Sequence, residues 1–275
     1  MKNILLPTDF SKNSKNAIRY ALQFFKGETC TFHILNTQKP TGYLTADMLY
    51  STPGTSVYDS ILKENKTELE KMVRFCESIS ENENFTFIPN IDFDDIEAAV
   101  NQTVARHNIH LIIMGTNGAT GAKEVIFGSN TIKIIRNVNC PVLVIPEGYA
   151  FEKINSVLLS LNYQNDVLQK SFEVVLNIVK KHNAALKILD IEEADIVVSP
   201  QKNHTEAVFK KHGFERYTIK NVPAPLAISS FVQIIPIQLH AMVTRRKSFL
   251  DRFIFGSESS KISYATVVPL LVLHE

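Results

Sequence analysis

Four glycines and one aspartate carry the chemistry that can be read from this chain. Met114-Gly115 ends an apolar run, Gly118 and Gly121 follow in a loop, and Gly128-Ser129 opens a segment of helical period. Strand, glycine loop and helix in that order gather backbone N–H groups and a helix N-terminus around one point, which suits an anion. Gly115 and Gly118 permit positive φ and a close backbone approach. Ser129 offers a hydroxyl and an N–H at the helix start. Asp9, just after an early apolar run, can accept hydrogen bonds from sugar hydroxyls or help hold a magnesium ion through water. A nucleotide with its phosphates on the loop uses all of these groups. Two plainer readings stand beside it: Asp9 as a capping residue before Ser11, and the glycines as parts of a tight strand-to-helix turn.

The elements that must position these groups alternate along the chain. Asn3–Leu6 is a short apolar run that predicts a buried strand. Ala17, Ile18, Ala21, Leu22 and Phe25 recur at helical spacing after Ser11, and Gly27 ends that helix. Strands follow at Cys30–Leu35, Phe85–Ile88, His110–Met114 and Val142–Ile145. Helices are predicted over 57–80 and from Asp94-Asp95 onward, where the two carboxylates suit the positive helix end. The stretch 36–56 holds Pro40, Gly42, Pro53 and Gly54 and reads as a loop or flap. Such alternation implies parallel strands with right-handed crossovers and helices on both sheet faces. Ligands of such sheets sit beyond the carboxyl ends of the strands, where Asp9 and Gly115 both fall.

Composition narrows the function. The 275 residues carry 29 basic and 28 acidic side chains, a net +1, so neither nucleic acid nor an anionic membrane is an expected partner. No apolar run approaches the ~18 residues of a membrane span, and Pro7-Thr8-Asp9 interrupts the N-terminal apolar patch, which reads as a strand and not a signal peptide. Cys30, Cys76 and Cys140 are isolated, which predicts buried thiols and a cytoplasmic setting. His107 and His110 lack further ligands for a metal site. No phosphate loop of the G-x-x-x-x-G-K-[ST] type is present, and no nucleophilic triad stands out.

The second half repeats the first. Beyond a linker at 147–153, strands are expected at 155–161, 184–189, 214–219, 237–243 and 267–273, with a further short one at 195–198. Helices are expected at 167–179, 205–212 and 225–235. A shift of 128 positions sets Ile113–Ile145 on Ala241–Leu273 without a gap. Met114 meets Met242, Ile126-Phe127-Gly128-Ser129 meets Ile254-Phe255-Gly256-Ser257, and Pro141 meets Pro269. The copy departs where chemistry is at stake: Asn162 stands for Asp9, Val243 for Gly115, Arg246 for Gly118 and Phe249 for Gly121. Valine disfavours positive φ, and bulky side chains would fill the phosphate space. Arg245-Arg246-Lys247 reads as a solvated basic loop, with a side-chain grip on an anion as its alternative. The apolar last strands, Val142–Ile145 and Val267–Leu273, are expected to pair with each other or with another chain.

On these residues the chain resembles the universal stress protein family in its tandem form. The resemblance rests on Pro7-Thr8-Asp9-Phe10-Ser11, on the spacing G-x2-G-x9-G-[ST] met by Gly115, Gly118, Gly128 and Ser129, and on Cys140-Pro141-Val142-Leu143-Val144. It implies an α/β fold: two tandem five-stranded parallel-sheet domains, Rossmann-like and of the adenine nucleotide alpha hydrolase-like type, forming a pseudo-dimer. Residues 1–146 would be the nucleotide-competent domain and 154–275 a shorter, degenerate one. The implied ligand is ATP or AMP, with or without Mg2+. Asp9 would meet the ribose or its neighbourhood, Pro7 and Thr8 would belong to the same cofactor site, and Ile34 and Met114 would border the adenine. Gly115, Gly118, Gly128, Ser129, Asn130 and Thr131 would surround ribose and phosphates. The implied function is that of a cytoplasmic, nucleotide-responsive stress module acting on an unidentified protein partner, the fused pair being free to form a further homodimer. Two alternatives remain: a slow ATPase, for which Glu124 is the nearest loop carboxylate, and a nucleotide-free scaffold or small-ligand carrier.

Overall fold

The computed structural model describes residues 1–38, 57–116, 127–162, 169–192, 213–244 and 267–274. The first half runs β1 (Lys2–Pro7), α1 (Lys12–Phe24), β2 (Cys30–Thr37), α2 (Val57–Ser78), β3 (Phe85–Asp92), α3 (Ile96–His107), β4 (Leu111–Gly115), α4 (Ser129–Asn137) and β5 (Val142–Ile145). The second runs β6 (Ser156–Asn162), α5 (Gln169–His182), β7 (Ala185–Glu192), β8 (Glu215–Lys220), α6 (Ala224–Ile234), β9 (Leu239–Thr244) and β10 (Leu270–His274). The readings at 195–198 and 205–212, and nearly all of the 36–56 flap, lie outside the described residues.

Local chemistry sets the helix ends. Ser11 caps α1, its hydroxyl accepting the Ser14 N–H at 3.1 Å, and Gly27 takes φ +80° in the turn that follows. Asp95 caps α3, and Asn108 closes it in the left-handed conformation. Two strands are longer than their apolar cores suggest. β2 continues through the polar pair Asn36-Thr37, and β3 runs through Pro89. Proline is tolerated there because β3 is an edge strand that, among the described residues, pairs only with β2.

All the described strands join one sheet in the order β3-β2-β1-β4-β5-β10-β9-β6-β7-β8. Each half therefore has the same internal order, and the halves meet back to back. Pairing is parallel within each half. At the junction it is antiparallel, with Leu270 opposite Val144, Leu271 opposite Leu143 and Val272 opposite Val142. These are the two terminal strands expected to cover one another, and their union removes two apolar edges. The internal repeat is in register: Gly115 faces Ile145 across β4–β5, and Val243 faces Leu273 across β9–β10.

Two apolar layers flank the sheet. One holds α1, α2 and α5, with Ile18, Phe32, Leu143, Phe172 and Leu271 in a single continuous cluster. The other holds α3, α4 and α6, with Val100, Ile134, Met114, Ile228 and Val272. Both clusters cross the β5–β10 junction, so the halves share their cores. The three thiols are buried and unpaired, and burial pushes Cys30 up to about 11 and Cys76 and Cys140 up to about 12. They act as small apolar side chains. No helix among the described residues is long and apolar enough to cross a membrane.

Candidate functional site

Within the first half, β1 and β4 are neighbours, yet the chain leaves β1 towards β2 and β4 towards β5. The helices that follow, α1 and α4, consequently lie on opposite faces, and a crevice opens between them at the carboxyl ends of the strands. A cleft of about 400 Å³ occupies this position. Pro7, Thr8, Asp9, Met114, Gly115, Gly128, Ser129, Asn130 and Thr131 all line it. Nine of the residues singled out from sequence are thus brought to one place.

Their roles are uneven. Asp9 is exposed, and one carboxylate oxygen accepts the Ser11 N–H at 3.0 Å. It therefore helps turn the chain into α1 while facing the cleft, and the capping reading and the ligand reading share one side chain. Phe10 has φ +62°, the left-handed conformation that bulky residues seldom adopt, so the β1–α1 turn is held tightly. The Thr8 hydroxyl lies 3.0 Å from that of Ser14 and accepts the Phe10 N–H at 3.1 Å.

On the opposite wall, the Gly128 N–H donates to the Thr116 carbonyl at 2.6 Å. The Thr131 hydroxyl, 3% exposed, lies 3.0 Å from the carbonyls of both Gly115 and Thr116. Thr131 thereby ties the first turn of α4 to the end of β4, and its hydroxyl is spent on the protein. Gly128 at the N-cap supplies no side-chain cap. Among the described residues, the N–H groups of Ser129, Asn130 and Thr131 have no backbone acceptor within the helix, at its positive end. Bonds from Lys133 to Asp95 at 3.4 Å and from Asn137 to Glu97 at 2.9 Å fix α4 against α3.

Two expectations change. Ile34 does not line the cleft: it is 0% exposed and packs in the α1-side layer. The reason is strand length. β2 runs on to Thr37, which moves the sheet edge to Asn36, Thr37 and Gln38, and these line the cleft instead. Gly115 does not have positive φ. What it requires is space, since a Cβ there would lie 3.2 Å from the Asn13 carbonyl oxygen of α1. Its replacement by Val243 in the copy therefore reports on helix packing as well as on ligand. Gly128 is likewise in extended backbone, with φ −63°.

Gly118, Gly121 and Glu124, and in the copy Arg245-Arg246-Lys247, Phe249 and Gly256-Ser257, lie outside the described residues. So does the Asn162 side chain.

Further lining residues escaped sequence reading: Phe10, Ser14, Asn65, Ile96 and the rim of β2. Asn36 donates to the Thr8 carbonyl at 2.8 Å, and Gln38 donates to the Asn36 side-chain oxygen at 2.7 Å. Polar residues directly after an apolar strand, at the edge where Asp9 already lay, were the available signal. Among the described residues no three His, Cys, Asp or Glu side chains gather as a metal site.

Comparison with known proteins agrees with this fold. Residues 1–146 match the model of the Universal stress protein family. Universal stress protein MJ0531 of Methanocaldococcus jannaschii is 26% identical over 148 residues, covering 52% of this chain and 81% of the relative. Universal stress protein MJ0577 of the same organism is 24% identical over 156 residues, covering 52% of this chain and 94% of the relative. The crystal structure of a universal stress protein from Archaeoglobus fulgidus aligns with 99% of this chain and 96% of its own, at a TM-score of 0.68 and 20% identity. That likeness extends the fold match over both halves.

Proposed function

We propose, for a chain that belongs to the universal stress protein family, that the first-half cleft binds one adenine nucleotide, ATP or AMP, and that the second half is its nucleotide-free structural partner. The observation that carries this reading is the uncapped N-terminus of α4 opening on a cleft that Asp9 borders. The amides of Ser129, Asn130 and Thr131 suit phosphate oxygens. Asp9 suits the ribose hydroxyls, and Met114 with the amide-bearing rim of Asn36 and Gln38 suits a base. The family resemblance supplies adenine as the base. Nucleotide occupancy would act as a signal to a protein partner in the cytoplasm. Asp9 is the acidic side chain among the described lining residues, so Mg2+ would be held chiefly by phosphates and water.

Replacing Ser129 by Asp separates binding from folding. An acidic first-turn residue favours the helix, while its charge repels phosphate. Ser129→Asp is expected to keep the wild-type melting temperature without ligand and to lose at least tenfold in ATP affinity. Unchanged affinity would rule out phosphate binding at α4.

A further inference from the structure

A second cavity, of about 550 Å³, lies at the opposite edge of the first-half strands, on the α1–α5 face of the sheet. It is built from both halves. Its floor is the amino-terminal ends of β1, β4 and β5 together with Leu271 of β10, and its walls are the end of α1 and one stripe of α5. That stripe is Lys170, Val174, Asn177, Ile178 and Lys181, the spacing of one helix face. It runs roughly 16 Å at the α-helical rise. The volume is that of a small-molecule site.

The lining is apolar along its length and cationic at both ends. Ile4, Leu111, Val174, Ile178 and Leu271 form the apolar body. At one end Lys2 and Lys181 share a single carboxylate. Lys2 meets Glu28 at 2.6 Å, and Lys181 bonds both Glu28 and the Phe24 carbonyl while lying over the Phe24 and Phe25 rings. At the other end Lys170 adds a further cation. Among the described lining residues Glu28 is the one acidic side chain, so three lysines face one carboxylate there. Long apolar walls with surplus positive charge fit an alkyl chain bearing an anionic head.

We propose that this inter-half cavity binds an amphipathic alkyl carboxylate, its chain along the α5 stripe and its head at Lys170. The site is separate from the first-half cleft, with which it shares no described lining residue. Because its walls come from α1 and α5, occupancy would couple the two halves.

Calorimetric titration of sodium decanoate, below its micelle concentration, into the full chain tests the assignment. One equivalent is expected to bind, with or without saturating ATP. Lys170→Gln should weaken it at least fivefold while leaving the binding of decan-1-ol unchanged. Val174→Trp, which fills the cavity, should abolish binding of both. Absence of saturable binding, an affinity that Lys170→Gln leaves intact, or competition by ATP would each overturn it. Lys170 is exposed at a helix start, so its variant remains decisive if Val174→Trp does not fold.

Discussion

His33 shows how burial sets side-chain chemistry here. It is 2% exposed on β2, its Nδ1 has no partner among the described residues, and the His107 ring lies 4.4 Å away. Burial, and then the neighbouring His107, pull its pKa down to about 4. In the unfolded chain a histidine titrates near 6.5. Between those values the unfolded chain binds a proton that the native protein refuses, so stability falls as pH drops from about 6.5 towards about 4. His182, also lowered to about 4, acts in the same direction. His33→Leu is expected to reduce the slope of stability against pH in that window by about 1 kcal/mol per pH unit, read from urea unfolding. Parallel profiles for variant and wild type would contradict this. Asp9 and Ser129 were legible in the sequence because residue type and spacing both mark them. Ile34 was misplaced because apolar identity alone does not say which face of a strand, or how far from its end, a residue sits.

At the scale of elements, the alternation of strands and helices was readable because each apolar run has its own period and its own stop. Strand ends were not, because Asn36-Thr37 pair with β3 through backbone groups that side-chain type does not announce. The β1–α1–β4 packing is the clearest case of an element-level constraint hidden in one residue. Gly115 looked like a ligand glycine, whereas the structure shows α1 resting against it through the Asn13 backbone. Gly115→Ala must push α1 outward or strain β4, and a loss of about 1–2 kcal/mol is expected, the range of modest overpacking. Nucleotide affinity should fall with it, because Asp9 rides on the start of α1. Thermal unfolding and ATP titration of the variant check both effects. A fully stable variant with weakened ATP binding would return Gly115 to a purely ligand role.

For the whole molecule, the repeat at a shift of 128 positions already implied two like halves, and the sheet joins them through β5 and β10. The shared apolar layers were less visible, since no periodicity within one helix says which neighbour covers it. Duplication left one half with an aspartate, an uncapped helix and a polar strand rim at its switch point. In the other, Asn162 and Val243 stand at the matching positions. On the proposed function the molecule is asymmetric in function though symmetric in frame. Titrating ATP calorimetrically into the purified, nucleotide-stripped chain tests this most directly. One equivalent per chain, lost in Ser129→Asp, is the predicted result. Two equivalents, or none, would contradict it.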